Sequence, residues 1–209
     1  FAKTFQKNFS ISDKHVYTKK EHISTLRYKN FEIVRDVPSM KFKKIRKKEL
    51  ELIKKAKNNI SIETPYFIPN KKLKKELKQA SMRGVKINIA LPLQSDVMLI
   101  NILRQKHLGT LHKSGINILF FKPSILHSKL MIVDNDFFTI GSANLDNRSS
   151  LFQYEINLFG RSRNIIKELK NHSEKTLADC IEFDYAKWKK RSIIQKTLEK
   201  MLTPIKYLL

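Results

Sequence analysis

Residues 127–144 read HSKLMIVDNDFFTIGSAN. Two apolar runs, Leu130-Met131-Ile132-Val133 and Phe137-Phe138-Thr139-Ile140, flank Asp134-Asn135-Asp136, the pattern of two strands joined by a tight turn. The strands are expected over 126–133 and 137–140. Side chains alternate along a strand, so His127 and Lys129 fall on one face. Gly141-Ser142-Ala143-Asn144 follows the second run. An imidazole, an ammonium, a hydroxyl and an amide can then meet at one point. That set suits a phosphodiester, which needs a nucleophile or proton carrier, a fixed cation and neutral donors for its other oxygens. Asp134 lies at the far end of its strand, roughly 20 Å from His127 at about 3.3 Å per residue. A turn or ion-pair role fits it better than a chemical one.

The plain alternative is a buried hairpin with a satisfied histidine and a lysine that snorkels to solvent. Six fixed residue types in one long gapped spacing favour the site over the hairpin.

Working outward, the chain has 209 residues, enough for one domain with a substantial core. Hydrophobic residues make up 41% and aromatics 10%, a globular rather than a disordered balance. Cys180 is the one cysteine, which excludes an internal disulfide and favours a reducing compartment. No run of 18 apolar residues occurs. The net charge of +23 attracts polyanions, either nucleic acid or an anionic lipid surface. A coding bias towards A and T would also enrich lysine, asparagine and isoleucine, and composition does not separate these sources.

The remaining pattern alternates strands and helices. Phe1, Phe5 and Phe9 share a helical face at 1–10, and 13–29 reads as linker or loop. Strands are expected over 31–34, 60–64, 85–91, 116–121 and 154–159. Helices are expected over 42–58 (capped by Ser39), 71–83 (closed by Gly84), 96–112, 162–181 and 185–207. The predicted fold class is α/β, a layered domain with a mixed β-sheet and helices on both faces. The lysine- and arginine-rich face at 41–48, Arg46 included, reads as a solvated helix face or as a phosphate-binding stripe. Trp188, Ile194, Leu198, Met201, Ile205 and Leu208 recur at helical spacing among lysines. That segment either packs on the core or lies on an anionic membrane.

The motif resembles the phospholipase D superfamily signature, HxKxxxxD followed by GSxN, at every position. Flanking pieces narrow the resemblance to bacterial cardiolipin synthases of the phospholipase D type. Thr64-Pro65-Tyr66-Phe67-Ile68-Pro69 is similar to the family's TPYFxP turn. Arg83-Gly84-Val85, Leu91-Pro92 and Ser95-Asp96 resemble its RGVxVxxxLP and downstream Asp, and Leu126-His127-Ser128-Lys129 its LHxK. Gly141 to Ser149 resembles its GSxNLDxRS extension. Phe152-Gln153-Tyr154-Glu155 resembles its xNFE with Gln and Tyr replacing Asn and Phe.

The resemblance implies a phospholipase D-like domain that condenses two phosphatidylglycerols into cardiolipin, releasing glycerol through a phosphohistidine intermediate. It implies roles for His127 (general acid or base), Lys129 (a non-bridging phosphate oxygen), Asn144 and Ser142 (phosphate donors) and Glu155 (orienting an imidazole), with Asp134 as the motif's carboxylate. It implies no cofactor and no metal. Such enzymes carry two motifs that share one site, and this chain has one. The chain is therefore expected to be a C-terminal half: 1–30 the tail of a preceding half-domain and linker, 31–185 the catalytic half-domain, 186–209 a basic amphipathic helix. Its expected partners are anionic phospholipid (phosphatidylglycerol), the membrane surface and the missing half, ahead of nucleic acid. Its expected place is the cytoplasmic face of a bacterial cell membrane. The rivals are a single-motif homodimeric endonuclease or phospholipase, and an inactive polyanion- or membrane-binding fragment. His15, His22, His107, His112 and His172 have no motif context and read as structural or surface residues.

Overall fold

A computed structural model describes residues 25–38 and 43–202. The expected elements over 1–10 and 203–207, and the Ser39 cap, lie outside the described residues. β1 (Thr25–Tyr28) and β2 (Phe31–Asp36) lead into α1 (Lys44–Lys55), β3 (Asn59–Glu63), α2 (Lys71–Met82), β4 (Lys86–Pro92), α3 (Met98–His112) and β5 (Asn117–Phe121). The motif hairpin, β6 (Leu130–Val133) and β7 (Phe137–Gly141), follows. After it come α4 (Asn147–Phe152), β8 (Glu155–Gly160), α5 (Arg163–Ala178), β9 (Cys180–Glu182), α6 (Tyr185–Lys189) and α7 (Ile193–Met201).

Among the described residues nine strands form one sheet in the order β1-β2-β8-β7-β6-β3-β4-β5-β9. β3, β4 and β5 are parallel, and the other neighbours are antiparallel. The expected mixed α/β sheet is the one observed. All four residues of β6 are buried, so the sheet must be covered on both faces. Met131 and Val133 join the core under α1, α2 and α3, built from Ile53, Leu73, Leu77, Leu108 and Leu111. Leu130 and Ile132 point the other way, to Ile166 and Leu169 of α5. Parallel β3, β4 and β5 end at Glu63, Pro92 and Phe121, beside the start of β6 and the end of β7. The motif's ends are thus held at one end of the sheet.

Several boundaries differ from the sequence expectation. The strand expected at 126 begins at Leu130, so His127 and Lys129 lie in the segment just before it. β1, expected as linker, pairs with β2. The helix expected to run to 181 stops at Ala178, and the next residues turn back as edge strand β9 on β5. α1 takes its N-terminal acceptor from the end of β2: the Asp36 carboxylate accepts from Lys44 N at 2.8 Å and Ile45 N at 3.1 Å. Gly84 at φ +87° follows α2, as a C-terminal glycine should.

The helix expected over 185–207 breaks at Lys190–Ser192, where Ser192 caps α7 through Gln195 N at 3.1 Å. Trp188 of α6 packs on α3 at Gly109, where a Cβ would run into the indole. Its Nε1 donates to Gln105 O at 2.8 Å, and Tyr185 and the Arg191 guanidinium lie against its ring. Among the described residues no helix is long and apolar enough to cross a membrane.

Candidate active site

His127 is exposed and Lys129 half-buried at the motif end of the sheet. Lys129 Nζ lies 3.3 Å and 3.4 Å from the two ring nitrogens of His127 and donates to the His127 carbonyl at 3.0 Å. The expected convergence of these two side chains is present, because an extended chain alternates even ahead of its strand. Ser128, between them, points to the other side. Its hydroxyl donates to the buried Glu63 at 2.6 Å, and His172 of α5 approaches the same oxygen at 3.2 Å. Among the described residues Glu63 Oε1 has no hydrogen-bond partner. The segment leading into the motif strand is therefore pinned from behind by Glu63, which the sequence did not single out, with His172, expected as a structural or surface residue, beside it.

Gly141 sits where the chain leaves β7, and its N–H donates to Lys129 O at 3.2 Å. A Cβ there would collide with the Ile156 carbonyl and the Asn157 amide. Close approach, not an unusual φ, is what requires glycine. Ser142 gives its hydroxyl to Glu155 and accepts from Ile156 N at 2.9 Å. Glu155 thus spends its hydrogen bond on Ser142, while Lys129 is the group that faces the imidazole. Burial pushes the Glu155 carboxyl above the usual carboxylate range, against the Ser142 hydroxyl and the Lys129 charge. Burial likewise lowers Lys129, and the carboxylates of Glu155, Asp146 and Asp96 oppose it.

Asn144 is buried, and its Oδ1 has no hydrogen-bond partner among the described residues. Its backbone is held from both sides: N donates to Ser149 Oγ at 3.3 Å, and O accepts from Arg46 at 2.9 Å. Arg46 also reaches Asp146 O at 3.3 Å. Asp146 caps α4 through Ser149 N at 2.7 Å, and burial raises its carboxyl. The outward basic face expected for α1 is corrected at this position. Arg46 is buried and lies 3.1 Å from the equally buried Glu49. The signal was available, since Arg46, Glu49, Leu50 and Ile53 share one helical stripe at i, i+3, i+4 and i+7.

Asp134 is not brought to this point. It sits in the β6–β7 turn at φ +55°, and its carboxylate accepts from the backbone N–H groups of Lys57, Asn58 and Asn59 at 2.7–3.0 Å. Tyr66 places its hydroxyl 2.9 Å from both oxygens of Asp96, while Phe67 is wholly buried. Burial and Asp96 push the Tyr66 hydroxyl up to about 12.

A family profile described as "Cardiolipin synthase, PLD-like domain" matches residues 50–177. The chain belongs to this phospholipase D-like family. A cardiolipin synthase of Staphylococcus aureus (strain Mu50) is 30% identical over 171 residues, covering 80% of this chain and 35% of that protein. The major cardiolipin synthase ClsA of Bacillus subtilis (strain 168) is 29% identical over 177 residues, covering 83% and 37%. The chain spans about a third of the length of these relatives. Among solved structures, the phospholipase D family member Nuc from Salmonella typhimurium superposes with a TM-score of 0.61 at 20% identity, covering 72% of this chain and 98% of Nuc. The phosphatidylserine synthase of Haemophilus influenzae superposes at 0.67 and 12% identity, covering 84% and 46%. Both share the phospholipase D fold with this family member.

Proposed function

We propose that this chain is the C-terminal half of a two-motif phosphatidyltransferase of cardiolipin synthesis, with residues 31–185 as its catalytic half-domain. The observation that supports the reading is an exposed imidazole paired with an ammonium at 3.3 Å, on a chain of the cardiolipin synthase family. In the reaction, a histidine of the other half attacks phosphorus of one phosphatidylglycerol, and the P–O bond to glycerol breaks. His127 protonates the departing alkoxide. It then takes the proton from the hydroxyl of a second phosphatidylglycerol, whose oxygen attacks phosphorus of the phosphohistidine, breaking the P–N bond, freeing the other half's histidine and forming cardiolipin. Lys129 neutralises a non-bridging oxygen, where its ammonium acts on charge that develops in the transition state. The Asn144 amide completes the phosphate cradle, while Ser142, whose hydroxyl proton goes to Glu155, braces the turn that carries it rather than donating to phosphate. The proposed place of work is the cytoplasmic face of a bacterial membrane.

The test is a product assay on phosphatidylglycerol vesicles with the protein carrying both halves. Cardiolipin and glycerol are expected in equal amounts. His127→Ala and Lys129→Ala are each expected to lower the rate by about 10³-fold or more without changing the circular dichroism spectrum. Retained activity in the His127 variant sinks the mechanism. Phosphatidate as product would make the chain a hydrolase. Cleaved DNA would favour the single-motif homodimer.

A further inference from the structure

The last described helix is built inside out. α7 turns Gln195, Glu199 and Leu202 towards the protein, and Glu199 is buried in a two-point ion pair with Arg191 at 2.9 and 3.2 Å. Its apolar residues face solvent instead. Ile193 is 82% exposed, Ile194 75% and Met201 70%, with Leu198 beside them. At about 100° per residue they span an arc of roughly 140°. A surface helix ordinarily buries such an arc against its own core. Here the core side is already filled by the ion pair and by Leu202, which packs against the cluster of Ile68, Ile100 and Leu103.

Charge selects what covers this arc. Lys196 and Lys200 flank it on the same helix, and Lys187, Lys189 and Lys190 precede it, all exposed. The sole carboxylate between residues 185 and 202 is Glu199, which Arg191 neutralises. A second copy of the chain would bring the same lysines and a +23 charge against this face, which like-charge repulsion opposes. An anionic bilayer offers both an apolar interior and a negative surface. We propose that α7 docks on anionic lipid, with Ile193, Ile194, Leu198 and Met201 among the acyl chains and the lysines at the headgroups. Leu202 and Tyr66 pack against one buried cluster of Ile68, Ile100 and Leu103, and the Tyr66 hydroxyl binds Asp96, whose charge acts on Lys129. Docking therefore sets the motif end of the sheet at the lipid surface. The inference deepens the proposed function and rests on it for the choice of phosphatidylglycerol as probe lipid.

The test is co-sedimentation of the 209-residue chain with phosphatidylcholine vesicles, with and without phosphatidylglycerol, at about 0.15 M and about 1 M salt. Ile194→Ser with Met201→Ser removes apolar surface and leaves the charge unchanged. This pair is expected to lower partitioning to phosphatidylglycerol vesicles roughly tenfold or more, with the residual parent binding at high salt lost and the light-scattering mass unchanged. Met82→Ser with Ile165→Ser, at exposed apolar residues elsewhere, is expected to bind like the parent. Parent-like binding by the α7 pair overturns the proposal. So does an equal loss in the control pair, or an altered mass with vesicle binding retained. The readout is binding, so absence of cardiolipin formation by the protein carrying both halves, beside a responsive α7, would sink the proposed function and leave this surface standing.

Discussion

Glu49 shows what a single buried carboxyl costs this site. Burial holds it at about 7, against the Arg46 guanidinium 3.1 Å away, and Asp36 and Glu155 push in the same direction as burial. Arg46 is not left bare by a neutral Glu49, because it donates to the Asn144 and Asp146 carbonyls. A carboxyl raised from 4.5 binds more protons folded than unfolded. Its contribution to stability is full below pH 4.5 and is lost as pH rises through about 7, a swing of about 3 kcal/mol. Glu49→Gln is neutral at every pH. Denaturant unfolding at pH 5 and pH 8 should show the parent losing stability relative to the variant by an amount of that order. An equal slope in both proteins would mean that Glu49 is ionised throughout. The sequence did contain this pair, as charged residues on an apolar stripe, but a run of lysines around Arg46 masked it. Charge alone does not say which member of a basic run has partners inside.

At the scale of the element, the β6–β7 hairpin is locked by its turn. Asp134 carries three charge-assisted hydrogen bonds from the α1–β3 connection, and the His127–Lys129 pair lies at the other end of β6. Asp134→Ala should therefore destabilise by about 2 kcal/mol, lowering Tm by roughly 4–8 °C, while transfer measured well below Tm changes less than about threefold. A loss like that of His127→Ala would instead put Asp134 in the chemistry. The hairpin was legible because two apolar runs flank a polar turn. The edges were not. In β1 no residue is fully buried, and β9 has three residues, so neither carries a period for the eye to find. The break between α6 and α7 did have a signal, Ser192 three residues before Gln195, hidden by an apolar spacing that runs through it.

For the whole molecule, the alternation of strands and helices gave the layered α/β class, since parallel strands need crossover helices and both faces covered. One site needs two motifs on the proposed reading, and this chain has one. The 209-residue chain alone should therefore transfer no phosphatidyl group, and adding a separately made upstream half should restore activity, saturating near one equivalent. Activity of the chain alone that rises with the square of its concentration would place the second histidine on another copy. The site residues reach this end from elements far apart in sequence: Arg46 on α1, Glu63 on β3, Asn144 after β7 and Glu155 on β8. Spacing within one segment could not show that gathering.

The indole wedged against Gly109 has a spectroscopic consequence. Trp188 is the single tryptophan in the 209 residues, and it sits at the joint between α3 and the C-terminal segment, stacked on Tyr185 with a guanidinium 3.9 Å from its ring. Its emission wavelength and quenching by iodide therefore report whether that segment is seated, independently of the sheet. The chain carries its own optical probe for the arrival and departure of its C-terminal helices.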